Sequence, residues 1–217
     1  MKKGLTELVF ILDRSGSMGG LESDTIGGYN AVLHKHKEAE GEALVSTILF
    51  DDRTEVLHDR VPVKEVQPIT AKEYYVRGCT ALLDAVGSAI RHIADVHKCL
   101  GKENVPEKTI FVITTDGMEN ASRNYTYNKV RKMIERRKEK HGWEFLFLGA
   151  NIDAVAEAGK LGIHADRAVR FHNDSVGVAL NFRALADVTS GMRRAPAAAV
   201  GAEWKAEIEE DYTSRPE

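Results

Sequence analysis

Asp13, Ser15 and Ser17 stand at alternate positions in the run Asp13-Arg14-Ser15-Gly16-Ser17, directly after the apolar stretch Leu8-Val9-Phe10-Ile11-Leu12. A buried strand that ends in Asp-x-Ser-x-Ser gathers one carboxylate and two hydroxyls into a single tight turn. All three side chains offer oxygen, and oxygen is what hard divalent cations take as ligand. The same pentapeptide also serves as a plain turn with a helix-capping serine. What decides between the two is whether further oxygen ligands reach the same place.

That depends on the elements around the turn. A Gly-rich loop, 17–23, leads to a helix from Asp24, as its cap, to about Glu40, with Ile26, Tyr29, Val32 and Leu33 on one face and Gly41 ending it. Leu44 to Phe50 reads as a second buried strand. Asp51-Asp52 is a turn signal, and Thr54 to Val61 follows at once. So short a connection permits only an antiparallel partner, since a parallel crossover needs about a dozen residues or more. Helices are expected over 82–100, 127–140, 154–161 and 176–192, and strands over 109–115, 143–148 and 168–171. Alternating strands and helices imply β-α-β units. The expected fold is a three-layer α-β-α, doubly wound α/β domain over 1–195, with a mostly parallel six-stranded sheet and one antiparallel edge strand. From Pro196 the composition turns to Ala, Gly and acids. Residues 196–217 read as a loose acidic tail or as a terminal helix docked through Trp204 and Ile208.

In open α/β sheets, ligands bind beyond the carboxyl ends of the strands, where the strand order reverses. Two other segments belong on that edge. The run Ile113-Thr114-Thr115-Asp116-Gly117 puts a carboxylate at a strand tip, and Gly78-Cys79-Thr80-Ala81-Leu82 puts a hydroxyl before a helix. Asp13, Ser15, Ser17, Thr80 and Asp116 then form a five-oxygen set drawn from three loops. Mg²⁺ takes an octahedron at about 2.0–2.1 Å and keeps waters, so five protein oxygens leave a position for an outside ligand. Two carboxylates neutralise the ion, which lowers the charge penalty on an incoming carboxylate. The hydroxyls are weak donors that leave the cation electrophilic toward it.

These three motifs, Asp13-x-Ser15-x-Ser17, Thr80 within Gly78-x-Thr80-x-Leu82-x-Asp84-Ala85, and Asp116-Gly117, resemble the von Willebrand factor type A (vWA) domain. Their spacing is similar to that family's metal-ion-dependent adhesion site, and the resemblance spans about residues 5–195. It implies a Rossmann-like sheet with an antiparallel edge. It also implies ligand binding through Mg²⁺, with Mn²⁺ or Ca²⁺ as alternatives, in which a carboxylate from a protein partner completes the metal shell. Cys79 departs from the pattern, since many members carry Gly beside the Thr.

Other polar residues have plainer readings. Asp84, in the first turn of its helix, suits the helix dipole or an outer hydrogen bond better than direct ligation. Asp51 and Asp52 read as a turn, and Glu119 and Asn120 as rim residues. Met18 is placed to cover the site or to touch a partner. Residues 129–140 hold seven basic side chains and two acidic ones, which reads as a solvated helix face opposite Val130, Met133 and Ile134. His34 and His36, flanked by Lys35 and Lys37, read as solvent-facing. Cys79 reads as a buried thiol, and with only one other cysteine, Cys99, no disulfide framework exists.

Bulk properties narrow the function class. The net charge of −3 over 217 residues gives no general attraction to nucleic acid, so only a local basic patch could supply it. No apolar run reaches the roughly 18 residues of a membrane span, and Glu7 spoils the N-terminal stretch as a signal peptide. The expectation is a cytoplasmic protein that binds neither membrane nor nucleic acid. The leading reading is a non-enzymatic, metal-dependent module for a protein partner that presents Asp or Glu. The alternative is a Mg²⁺-dependent phosphoryl-transfer hydrolase with Asp13 as nucleophile. Against it, Ser15 occupies the place where such enzymes carry a second Asp as acid/base, and no G-x-S-x-G, phosphate-loop lysine or HExxH motif occurs. A third reading is a purely structural ion that steadies three loops.

Overall fold

The computed structural model describes residues 1–150, 152–195 and 200–215. One six-stranded sheet runs through it in the order β3-β2-β1-β4-β5-β6. The strands are β1 (Lys2–Asp13), β2 (Glu42–Phe50), β3 (Thr54–Pro62), β4 (Pro106–Thr115), β5 (Glu144–Ala150) and β6 (Ala168–Phe171). The main helices are α1 (Glu22–Glu38), α2 (Leu82–Cys99), α3 (Tyr127–His141), α4 (Ala154–Lys160), α5 (Ser175–Arg194) and α6 (Ala206–Ser214). All neighbouring strands are parallel except β2 and β3, whose antiparallel pairing follows from the short Asp51–Arg53 turn.

The central strands are apolar on both faces because helices cover both faces. Side chains alternate across a strand. Leu8, Phe10 and Leu12 of β1, with Ile110 and Val112 of β4, pack into the layer that holds α1, α5 and α6. Val9 and Ile11, with Phe111 and Ile113, pack into the layer that holds α2, α3 and α4. In β1 the break in this pattern is Glu7, fully buried and answered by Arg60 Nε at 2.6 Å and His97 Nε2 at 2.7 Å.

The α1 boundaries differ from the sequence expectation. The helix begins at Glu22, after Leu21, with no side-chain cap. Asp24 lies inside its first turn, and its carboxylate accepts a hydrogen bond from Ser175 Oγ at 2.7 Å instead. The helix closes at Ala39, and Gly41 follows it with φ +85° in the turn into β2, a conformation that glycine adopts without strain. In the acidic C-terminal segment, Ile208 of α6 is buried in the core and Trp204 Nε1 donates to the Asp166 carbonyl at 2.9 Å. Residues 196–199, 216 and 217 of that segment lie outside the described residues.

His36 does not face solvent. It is fully buried between α1 and α5, because it continues the stripe of Tyr29, Val32 and Leu33 at helical spacing. Its Nε2 lies 2.9 Å from Thr189 Oγ1, whose own proton goes to the Leu185 carbonyl, so the imidazole donates there. Arg193 Nη1 donates to Nδ1 at 3.1 Å. The neutral ring is thus satisfied at both nitrogens, and a proton on Nδ1 would face a guanidinium. Burial, then Arg193 and Lys35, push the His36 pKa down to about 3.

A depressed histidine pKa contributes stability that is present above the unfolded value of about 6.5 and lost as pH falls toward 3. The expected slope from this group is about 1.4 kcal/mol per pH unit below 6.5. Urea unfolding at pH 7.0, 6.0 and 5.0 should show that slope in the difference between the wild type and His36→Gln. Parallel profiles would mean that His36 protonates freely in the fold.

Candidate metal centre

β1 and β4 are adjacent and parallel, and β1 is also the strand from which the order turns outward in both directions. This is the switch point of the sheet, where strand tips leave a crevice. Asp13 ends β1 and Asp116 follows β4 at once, so two carboxylates are carried to neighbouring tips. The loop before α2 crosses above them and brings Thr80. It is held by the Gly16 amide on the Gly78 carbonyl at 3.2 Å, and by the Ala81 amide on the Asp51 carbonyl at 2.8 Å.

The five expected oxygen residues meet. Thr80 Oγ1 donates to Ser15 Oγ at 3.1 Å, Ser15 Oγ lies 3.2 Å from Ser17 Oγ, and Ser17 Oγ donates to Asp116 Oδ1 at 2.6 Å. Asp13 Oδ1 accepts from the Ser15 amide at 2.7 Å. Asp13, Ser15, Thr80 and Asp116 are buried, while Ser17 is exposed at the mouth. Gly117 follows Asp116 closely under the cluster, where a Cβ would stand 3.1 Å from Thr80 Oγ1 and 3.4 Å from Ser17 Oγ.

The electrostatics fit a cation. Among the described residues, neither Asp13 nor Asp116 forms an ion pair with a Lys, Arg or His side chain. The nearest basic side chain in sequence, Arg14, turns the other way and is buried against Asp51 (3.1 Å) and Glu55 (2.5 Å). Arg77 is also spent on Asp51, at 2.6 Å. Burial raises the Asp13 carboxyl to about 6 against the hydrogen bonds from Thr115 and Ser15 that lower it, and Asp116 adds like-charge repulsion. Burial raises Asp116 as well, opposed by Ser17 and Asn173. Two buried carboxylates that repel each other and lack a counter-charge are a donor set a divalent ion would satisfy. Among the described residues no group of three or more His, Cys, Asp or Glu side chains is arranged for a metal, so any ion here depends on the hydroxyls.

The remaining polar residues divide into supports and bystanders. Asp84 accepts the amides of Arg123, Asn124 and Tyr125, all at 2.9 Å, and so clamps the loop after β4 to the start of α2. Glu119 caps α2 through the Leu83 amide at 2.9 Å, and Asn120 Oδ1 accepts the Thr80 amide at 2.9 Å. Asp51 is a fully buried anchor for two arginines, far more than a turn residue. Gly78 has φ +67°, and a Cβ there would stand 2.6 Å from Asp52 Oδ1. Met18 is buried. Cys79 is exposed, contrary to the buried thiol expected of it: it follows the left-handed Gly78 (φ +67°), and the next residue, Thr80, is the one that is buried.

Three contacts had no sequence signal strong enough to single them out. Thr115 Oγ1 donates to Asp13 Oδ2 at 2.6 Å, Tyr74 donates to the Asp13 carbonyl at 2.5 Å, and Asn173 donates to Asp116 Oδ2 at 3.2 Å. Thr115 was the accessible one, since it precedes Asp116 at a strand tip that must face the same crevice.

No family model matches the chain, and no curated protein matches it by sequence. Solved structures do match. A von Willebrand factor type A protein from Catenulispora acidiphila aligns at 16% identity and a TM-score of 0.57, covering 86% of this chain and 42% of its own. Manganese-loaded Plasmodium vivax TRAP aligns at 15% identity and 0.57, covering 84% of this chain and 74% of its own. Proximal thread matrix protein 1 from the mussel byssus, with a zinc-occupied MIDAS motif, aligns at 15% identity and 0.56, covering 86% and 46%. The chain therefore spans less than half the length of two of these three. At such identities the likeness establishes architecture: the chain has the vWA fold, with the parallel sheet and the antiparallel edge strand expected from its sequence.

Proposed function

We propose that the chain is a divalent-metal-dependent protein-binding module whose ion, held by Asp13, Ser15, Ser17, Thr80 and Asp116, receives a carboxylate from a partner. The observation that carries this reading is the cluster of two carboxylates and three hydroxyls, buried except for Ser17 at its mouth, with no basic side chain paired to its carboxylates among the described residues. The set suits Mg²⁺ first, with Mn²⁺ or Ca²⁺ as alternatives, because every donor is a hard oxygen. When bound, the ion would supply an electrophilic coordination position for the partner's Asp or Glu. The chain's own work is to hold the donors. Thr115 and the Ser15 amide orient the Asp13 carboxylate, Asn173 orients Asp116, and Asn120 fixes the Thr80 backbone.

The hydrolase reading is weaker. A nucleophilic carboxylate needs a free oxygen facing substrate, yet Asp13 is 1% exposed and both its oxygens accept hydrogen bonds. Ser15 donates no proton at neutral pH that would serve a leaving group.

An arrayed set of short peptides, each with one Asp or Glu in varied flanks, should show binding in Mg²⁺ that vanishes in chelator. It should also vanish when the acid is replaced by Asn or Gln, and in Thr80→Ala. Peptides that bind equally well in chelator would remove the ion from recognition. Release of phosphate from a phosphomonoester, abolished by Asp13→Asn, would restore the hydrolase reading.

A further inference from the structure

The opposite edge of the sheet, at the amino ends of the parallel strands, carries a second concavity. A cavity of about 760 Å³ lies between the C-terminal ends of α2 and α3, beside the start of β4. Lys98, Lys102, Arg136, Arg137, Lys140 and His141 line it, and Asp95 is the one carboxylate among the described lining residues. Asp95 faces Arg91 of its own helix at 3.7 Å. The side chains of Lys98, Lys102, Arg136 and Lys140 have no hydrogen bond or ion pair within the described residues. Arg137 lies over the ring of the buried Trp143, 5.2 Å from its centroid.

Helix termini explain only part of this charge. Lys98, Lys140 and His141 sit in last turns, where cations offset the helix dipole. Arg136 and Arg137 lie further inside α3, and Lys102 lies beyond α2. The basic groups also feel one another. Burial, then Arg137, His97, Arg136 and Lys140, hold His141 below its ordinary range, and burial, then Arg136, lowers Arg137. Like charges gathered around a hollow, in a chain whose net charge is −3, make a local field that favours an anion.

We propose that this cavity binds a phosphorylated small molecule of nucleotide size. Its volume falls within the roughly 300–1,000 Å³ of small-molecule pockets. Arginine forks and lysine ammoniums together are the donors that phosphate oxygens take. The Arg137 guanidinium, placed over the Trp143 ring, is a planar group on which a base can stack. The footprint of a duplex site is an extended basic patch or stripe along one face, whereas these charges line one hollow. The site is separate from the Asp13 crevice and needs no divalent ion.

The test uses calorimetry and tryptophan fluorescence on the full chain in excess chelator, with adenosine triphosphate, inorganic triphosphate and a short DNA duplex as probes. Both triphosphates should bind. Affinity should fall about tenfold or more in the double variant Arg136→Ala/Lys140→Ala, and Asp13→Asn should bind as the wild type does. Both substituted side chains are exposed, and a melting curve checks that the variant folds. The proposal is overturned if neither triphosphate binds at millimolar concentration. It is also overturned if the double variant binds as tightly as the wild type, or if the duplex alone binds.

Discussion

Asp13→Asn and Asp116→Asn are each expected to weaken Mg²⁺ and Mn²⁺ binding by roughly a hundredfold or more, since loss of even an outer partner of a metal ligand costs about 10–100-fold. Asp59→Asn, at an exposed residue paired with His92, should leave the affinity unchanged. Calorimetric titration reads all three. If Asp13→Asn took up Mn²⁺ as the wild type does, the crevice would not be the metal site.

The same experiment carries a pH signature. The Asp13 carboxyl sits at about 6 in the metal-free fold, and a ligand carboxylate must be ionised to bind. Apparent affinity should therefore fall about tenfold per pH unit below 6. For the metal-free fold the sign reverses. A carboxyl raised above its unfolded value of 3.8 contributes stability that is present below about pH 4 and lost as pH rises through 6. Metal-free Asp13 and His36 thus act in opposite directions between pH 4 and 6, so the His36 slope is best read as a difference between variants. Saturating Mg²⁺ should raise the melting temperature at pH 7 far more than at pH 5.

Asp51→Ala is expected to cost about 3 kcal/mol or more in urea unfolding, the scale for breaking a buried ion pair from one side. The variant would leave Arg14, which has no exposed surface, without its Nε partner, and would release Arg77 and the Arg53 amide together. Arg77 precedes Gly78 and Thr80, so the loop that presents Thr80 should loosen, and Mg²⁺ affinity should fall along with stability. A loss below 1 kcal/mol would mean that Glu55 and the Glu73 carbonyl hold Arg14 unaided.

The sheet and the crevice were legible in the sequence for one physical reason. Strands covered on both faces read as unbroken apolar runs, and a polar residue that ends such a run must stand at a strand tip. Leu8–Leu12 into Asp13 and Ile110–Thr114 into Asp116 both obey it. Contacts set by tertiary packing gave no such signal. Tyr74 reaches the Asp13 carbonyl from a loop 61 residues away, and Asn173 reaches Asp116 across 57. His36 looked solvated because lysines flank it, and its place on the stripe with Tyr29 and Leu33 was the better guide. Cys79 and Thr80 are neighbours with opposite exposures, and the left-handed backbone at Gly78, which composition does not reveal, sets which of them faces inward.

The two sides of the crevice are built with unequal stiffness. The segment after β4 is fastened to α2 by the Asp84 and Glu119 carboxylates and by reciprocal bonds between residues 80 and 120. Among the described residues, the Ser15–Ser17 turn crosses to that side only through hydroxyls and the 3.2 Å Gly16–Gly78 bond. In amide exchange the first group would open rarely and as a block, while the serine turn would breathe on its own. A cation that spans both sides would couple these two clocks, and slowed exchange at Gly16 and Ser17 would then report on the ion with no partner present.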